Sequence, residues 1–224
     1  MDMFESELEL QNTFIDLMKK EEKENEYISD EFNARFGNVD IVKVKYENNI
    51  PLTKEQANIL SNIGAARIVG YLHKSSIRTL SYLIKNTNYT KDYIIAILTK
   101  LKSSKIIIEP KKHRYLINKQ FKFPKLIFIS YEAKLNDWQK ALSQAIKNTA
   151  FSSKSYIVMP EKIANKIADK KRNYFLSYNI GLISVNKENY KILIKPQIKT
   201  NNFSKAALIS SIAKYLILKK QVTM

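Results

Sequence analysis

The chain has 224 residues, no cysteine and two histidines, His73 and His113, which excludes disulfides and cysteine zinc sites and leaves only two imidazoles for a histidine zinc site or a Ser-His-Asp triad, an unfavourable basis for either. Its composition, 45% apolar and 26% charged, is that of a folded chain, and no apolar run approaches the roughly 20 residues needed to span a bilayer. Lys and Arg number 38 against 21 acids, a net of +17.

The charge is unevenly spread. Residues 1–50 hold 6 basic and 13 acidic side chains, while residues 51–224 hold 32 basic and 8 acidic. A basic body of this size suits a polyanionic partner, because lysines that neutralise phosphates release condensed counterions; a lysine-rich coding background gives the same surplus. The acidic start, Met1-Asp2-Met3-Phe4-Glu5, lacks the basic-then-apolar order of a secretion signal. The expected compartment is the cytoplasm, with no membrane.

Glu7, Leu10, Phe14 and Leu17 recur at helical spacing, so residues 5–20 are expected to form an amphipathic helix. Residues 27–36 and 39–46 are two extended runs around Gly37-Asn38, read as the turn of a β-hairpin. Asn48-Asn49-Ile50-Pro51 closes this segment. Thr53 caps a helix through Ile63, and residues 65–74 form a second. Residues 79–86 give a short helix, residues 86–89 a turn, and Thr90 caps a helix striped by Ile94, Ile97, Leu98 and Leu101. Residues 106–108 and 115–117 flank the basic turn 109–114. Beyond Pro124, residues 126–135 form a strand, 137–151 a helix, 156–159 a strand, 161–175 a helix, 180–185 and 191–194 strands, and 203–219 a closing helix. The alternation implies an α/β layer with helices on its faces.

Chemistry concentrates on Glu132-Ala133-Lys134. In a strand, residues i and i+2 share a face, so the acid and the lysine project side by side from an apolar run. Charges there are costly unless compensated. A metal bridging to phosphate compensates them; two solvated charges on an edge strand, or an ion pair with a neighbouring element, are the plainer alternatives. Asp40, opening the run Asp40-Ile41-Val42, has an exposed turn residue as its plainer alternative. For Glu7 the alternative is a first-turn acid that favours the helix dipole.

The order of acidic helix, hairpin carrying Asp40, Glu132-Ala133-Lys134 strand and the helix beginning Asp137-Trp138-Gln139-Lys140-Ala141-Leu142-Ser143-Gln144-Ala145 resembles the PD-(D/E)XK nuclease superfamily. The likeness covers about residues 1–50 and 122–195. It implies a restriction-endonuclease-like α/β core with a mixed sheet, in which Asp40 and Glu132, with the Ala133 carbonyl, bind Mg²⁺ (Mn²⁺ in its place), Lys134 acts on the attacking water or the developing charge, and Glu7 points to the same site. Val39 stands where the family's namesake proline falls, and Asn148 where a tyrosine follows the helix glutamine, Gln144. The 91 residues between the two acids are long for this family; an inserted domain at residues 51–121 accounts for them, leaving a discontinuous core of residues 1–50 and 122–224.

Three helices followed by a basic hairpin resemble a winged helix-turn-helix domain, with residues 91–103 as recognition helix. Residues 51–123 hold 14 basic and 3 acidic side chains. Lys91, Lys100 and Lys102 on the helix and Lys111, Lys112 and Arg114 on the wing are the candidate phosphate contacts, with Tyr93 or Thr99 facing bases; a solvated helix face and hairpin tip are the alternative. His113 is read as a wing contact or an exposed residue, Trp138 as core beside the Glu132 strand, and Gly181 as allowing a close strand or turn. The expected activity is metal-dependent endonucleolytic cleavage of double-stranded DNA, by a chain that the resemblance also allows to pair as a homodimer. A non-catalytic DNA-binding regulator on the same scaffold, and a binder of acidic proteins, are the competing readings.

Overall fold

The computed structural model describes residues 4–34, 37–47, 52–197, 204–219 and 222–223. The chain divides into two compact units, one made of Met1–Glu47 and Leu126–Phe203, the other of Asn48–Lys125 and Ser204–Met224. Elements are numbered along the chain through both units.

The first unit is mixed α/β. Helix α1 (Glu7–Lys19) starts at Ser6, whose hydroxyl accepts from the Glu9 N–H at 3.1 Å. Its Leu10, Phe14, Leu17 and Met18 recur every three or four residues and are buried. Strands β1 (Glu26–Ala34) and β2 (Gly37–Tyr46) pair antiparallel. Gly37 pairs with Ala34 and Asn38 with Asn33, so the Gly37-Asn38 pair belongs to the ladder instead of forming the expected turn. The expected extension of β1 to Phe36, and the break at residues 48–51, lie outside the described residues.

Strand β7 (Leu126–Ala133), helix α6 (Trp138–Asn148), strand β8 (Lys154–Pro160), helix α7 (Glu161–Tyr178), and strands β9 (Gly181–Val185) and β10 (Tyr190–Ile194) complete this unit. The sheet order is β1-β2-β7-β8-β9-β10, with β7, β8 and β9 parallel and the other neighbours antiparallel. Helix α1 covers one face, against Ile41, Tyr131, Ala133 and Val158. Helices α6 and α7 cover the other through Ala141, Leu142, Ala145, Ala164, Ile167 and Phe175. Gly181 is required here: a Cβ would fall 2.2 Å from the Tyr156 ring, which stacks on Tyr131 across the parallel strands. Tyr46 pairs with Leu126, so β2 and β7 are hairpin neighbours from whose ends the whole 47–125 segment departs and returns.

The second unit carries its caps in sequence. Thr53 closes a capping box on α2 (Lys54–Ser61), Asn62 caps α3 (Ile63–Tyr71), Thr79 caps α4 (Leu80–Thr87) and Thr90 caps α5 (Lys91–Ser103). Asn88, at φ 59°, makes the left-handed turn between α4 and α5. Strands β5 (Ile107–Lys111) and β6 (Arg114–Ile117) form a hairpin with Lys112 and His113 at its tip, joined by β4 (Arg78–Thr79). The first strand, β3 (Leu52–Thr53), pairs in parallel with β11 (Val222–Thr223).

Helix α8 (Lys205–Leu218) corrects the expected domain boundary. It packs on α2 and α3 of the second unit, burying Ala207, Ile212, Tyr215 and Leu216, and the Ser210 hydroxyl donates to the Ser61 carbonyl at 2.8 Å. Apolar spacing marks a face for burial but does not say against which core. Among the described residues no helix is long and apolar enough to cross a membrane.

Candidate functional site

The site begins in the register of two strands. Ile41 of β2 lies opposite Tyr131 of β7, so one step further along the antiparallel ladder Asp40 comes beside Glu132. The Ala133 N–H donates to Asp40 Oδ2 at 2.9 Å. Strand β7 is an interior strand with β2 and β8 on its two sides, which removes the edge-strand reading of its charges.

Glu132 is 1% exposed. Asn148, at the last turn of α6, donates its Nδ2 to Glu132 Oε1 at 2.6 Å. The other oxygen, Oε2, is buried and has no hydrogen-bond partner among the described residues. Burial first, and then the neighbouring Asp40 charge, push the Glu132 carboxyl up to about 7, against the opposing pull of Asn148 and Lys134. A carboxyl in this state holds a proton easily at neutral pH and would give it up to solvent if a cation joined the pair.

Lys134 follows the last residue of β7, its backbone N–H still bonded to the Val158 carbonyl at 3.1 Å. Its ammonium donates to Glu7 Oε2 and to the Ala133 carbonyl, both at 2.9 Å, and lies 3.6 Å from Asp40 Oδ2. Burial works against its charge. The Glu7 hydrogen bond and the Asp40, Glu7 and Glu132 charges outweigh it, and the pKa rises. Lys134 is therefore a charged donor at neutral pH although the residue is only 7% exposed. Glu7 occupies the first turn of α1 and also reaches Lys134, so its helix-start role and its place at the site coexist.

Asp40, Glu132 and the Ala133 carbonyl form a hard oxygen set. Two adjacent carboxyl groups, one of them buried and raised by the charge of the other and by a hydrogen bond to it, are what a divalent cation relieves, so these groups fit such an ion. Among the described residues no cluster of three or more His, Cys, Asp or Glu side chains has a metal-holding arrangement. The pair needs backbone, water or phosphate oxygens to complete a shell, and the Ala133 carbonyl is engaged by Lys134.

Sequence reasoning missed Asn148, which it noted only as standing where the family has a tyrosine after the helix glutamine. Asn148 sits four residues after Gln144 on α6 and is the direct partner of Glu132; buried amides demand partners, and that was the available signal. Gln144 Oε1 is itself buried without a hydrogen-bond partner among the described residues. Trp138 is half-buried and packs against the core between α6 and α7, edge-on to Tyr174 at 5.9 Å and tilted on Phe175 at 6.1 Å.

In the second unit Lys91, Lys100, Lys102, Lys111, Lys112 and Arg114 are all exposed. Lys102 pairs with Glu109 at 2.8 Å, and Glu109 also accepts from the His113 N–H at 2.9 Å, tying α5 to the hairpin tip. Tyr93 leans on α3, its hydroxyl 3.4 Å from Asn62 Oδ1 and so close to Gly64 that a Cβ there would lie 2.1 Å away. The Thr99 hydroxyl donates to the Ile95 carbonyl within its own helix at 2.9 Å. Both side chains expected to face bases thus have their hydroxyls engaged inside the unit. Comparison with known protein families, curated proteins and solved structures finds no match for the chain.

Proposed function

We propose that the chain is a Mg²⁺-dependent deoxyribonuclease on a PD-(D/E)XK, restriction-endonuclease-like core, with a winged helix-turn-helix insertion that grips duplex DNA. The observation that carries this reading is the meeting of Asp40, Glu132, Lys134 and Glu7, from three separate elements, around one short stretch of backbone. Asp40 and Glu132, with the Ala133 carbonyl, are the groups that would hold Mg²⁺ or Mn²⁺. A divalent ion bound by them supplies Lewis acidity toward a phosphate and its attacking water. Asn148 orients the Glu132 carboxylate, Glu7 aims the Lys134 ammonium, and Lys134 offers a charged donor to negative charge developing on a phosphodiester. Duplex docking falls to α5 and the β5–β6 hairpin, supported by the exposed lysines there and by the 14 to 3 excess of basic over acidic residues in 51–123.

A non-catalytic DNA-binding regulator is the second reading, favoured by Lys134 occupying the Ala133 carbonyl. Incubation of supercoiled plasmid with the protein and Mg²⁺, beside Asp40→Ala and Lys134→Ala variants, separates the two. Nicking or linearisation by the wild type alone supports the nuclease. Gel-shift binding of duplex DNA without cleavage of any DNA form, and without a rise in melting temperature on adding Mg²⁺ or Ca²⁺, supports the regulator. Absence of any gel shift leaves an acidic protein as the partner of the basic surface. The cytoplasm and a homodimeric form belong to the same proposal.

A further inference from the structure

On the face of the first unit built by α6 and α7, Tyr174 and Tyr178 continue outward a row of rings that starts at Trp138, which packs against the core. Tyr174 and Tyr178 are 45% and 41% exposed, one turn apart, with ring centres 5.0 Å apart and planes at 66°. Trp138 meets Tyr174 edge-on, and Leu176 is 49% exposed nearby on α7. A cavity of about 270 Å³ between the two helices is lined by Leu142, Ile146, Lys147, Tyr174 and Tyr178. Leu8, Tyr27 and Ile192 of the same unit are exposed singly, whereas Tyr174, Leu176 and Tyr178 adjoin one another on one helix, and a contiguous patch of this kind marks a surface kept for a partner.

Charge decides which partner. Helices α6 and α7 carry seven lysines or arginines against two acids, and Lys147 lines the cavity itself. Two copies of such a face repel each other, whereas a phosphate backbone tracks it and releases counterions. Tyrosine rings exposed to this extent suit bases free to splay out; in a duplex the bases are stacked away from any side chain on a flat surface. We infer that the α6–α7 groove is a stacking platform for single-stranded nucleic acid, with Tyr174 and Tyr178 taking bases and Lys147 and the α7 lysines tracking phosphates. This site is separate from the Asp40–Glu132–Lys134 cluster and goes beyond the proposed cleavage.

Trp138 is the sole tryptophan of the chain and touches Tyr174, so its fluorescence reports this face alone. The full chain is titrated in EDTA with dT and rU oligonucleotides of about 15 residues, a length suited to one strand-binding groove, and with a duplex of equal length. Binding of single strands is expected to change Trp138 emission, with an affinity that falls as salt rises. Tyr174→Ala/Tyr178→Ala should weaken it about tenfold or more, while Tyr174→Phe/Tyr178→Phe and Lys111→Ala/Lys112→Ala/Arg114→Ala retain the response. A dT response without an rU response, or the reverse, assigns the sugar the groove accepts and still supports the platform. Unchanged emission, or equal affinity in the Tyr→Ala pair, overturns it. A concentration-dependent dimer that the Tyr→Ala pair dissolves, with no oligonucleotide response, also overturns it and gives the face to a second copy. Since no metal is present, failure here leaves the nuclease reading standing, and failure of cleavage leaves this one.

Discussion

The two units treat charge in opposite ways. Among the described residues Glu132 and Lys134 are the only buried charged side chains, and both belong to the first unit. The second unit buries apolar side chains and a few hydroxyls, and keeps every candidate phosphate contact in water. A buried carboxyl and ammonium are costly to desolvate and persist only where partners return that energy; here Asn148, Glu7, Asp40 and the Ala133 carbonyl do so. Exposed lysines need no such scaffold and act by their sum. Chemistry is thus expected where charge is enclosed, and grip where it is spread.

The comparison breaks most visibly if the units do not stand apart in stability. Ending the chain at residue 203 removes α8, with Ile212, Tyr215 and Leu216 in the core of the second unit. The loss should exceed about 5 kcal/mol, enough to unfold that unit. Hydrogen exchange should then show residues 52–125 unprotected and the β2–β7–β8 ladder still protected; protection kept in both refutes the assignment of α8. Next in size, Lys134→Ala should slow plasmid cleavage about 10²- to 10³-fold, with duplex affinity barely changed in a gel shift. Parallel losses of both would place Lys134 in binding instead.

Glu132 gives a pH test. Its carboxyl is raised from 4.5 to about 7 in the folded state, so the fold holds an extra proton between those values. That stabilisation is complete below pH 4.5 and is lost as pH rises through about 7, amounting to about 3 kcal/mol. Melting temperature should therefore fall from pH 5 to pH 8, and Glu132→Gln should remove this part of the slope and be the more stable protein at pH 8. Identical profiles for the two proteins would mean that Glu132 is not held protonated. The smallest effect is expected for Lys111→Ala/Lys112→Ala/Arg114→Ala: the log–log salt slope of duplex binding should drop by up to about 3, near 0.9 for each phosphate no longer neutralised, with melting unchanged. An unchanged slope would leave the hairpin tip merely solvated.

Much of the fold was legible in the residues themselves. The spacing of Leu10, Phe14 and Leu17, the caps Thr53 and Thr90, and the stripe Ile94–Ile97–Leu98–Leu101 each mark their helix directly. Glu132 and Lys134 were legible because charges in an apolar run ask for compensation. Their partners were harder to read. Asp40 depends on which strands pair and in what register, and Asn148 on how α6 leans against β7, both long-range facts that local patterns do not encode. The turn was misplaced for a similar reason: Gly37-Asn38 has turn chemistry, yet the pairing of Ala34 with Gly37 puts it inside the ladder. Helix α8 shows the limit most clearly, since an apolar helix after the last strand has two cores to choose from.

That α8 completes a unit begun at Leu52 also bears on how the chain is made. As residues leave the ribosome, α2 and α3 are synthesised well before the helix that covers them, with most of the first unit emerging in between. The faces of α2 and α3 that await α8 stay uncovered throughout this interval, the situation in which nascent chains rely on chaperones. The sheet has its own wait, since β2 is made early and its neighbour β7 arrives only after the second unit's other helices. Neither unit is finished before the other has been started, so the two must mature in step.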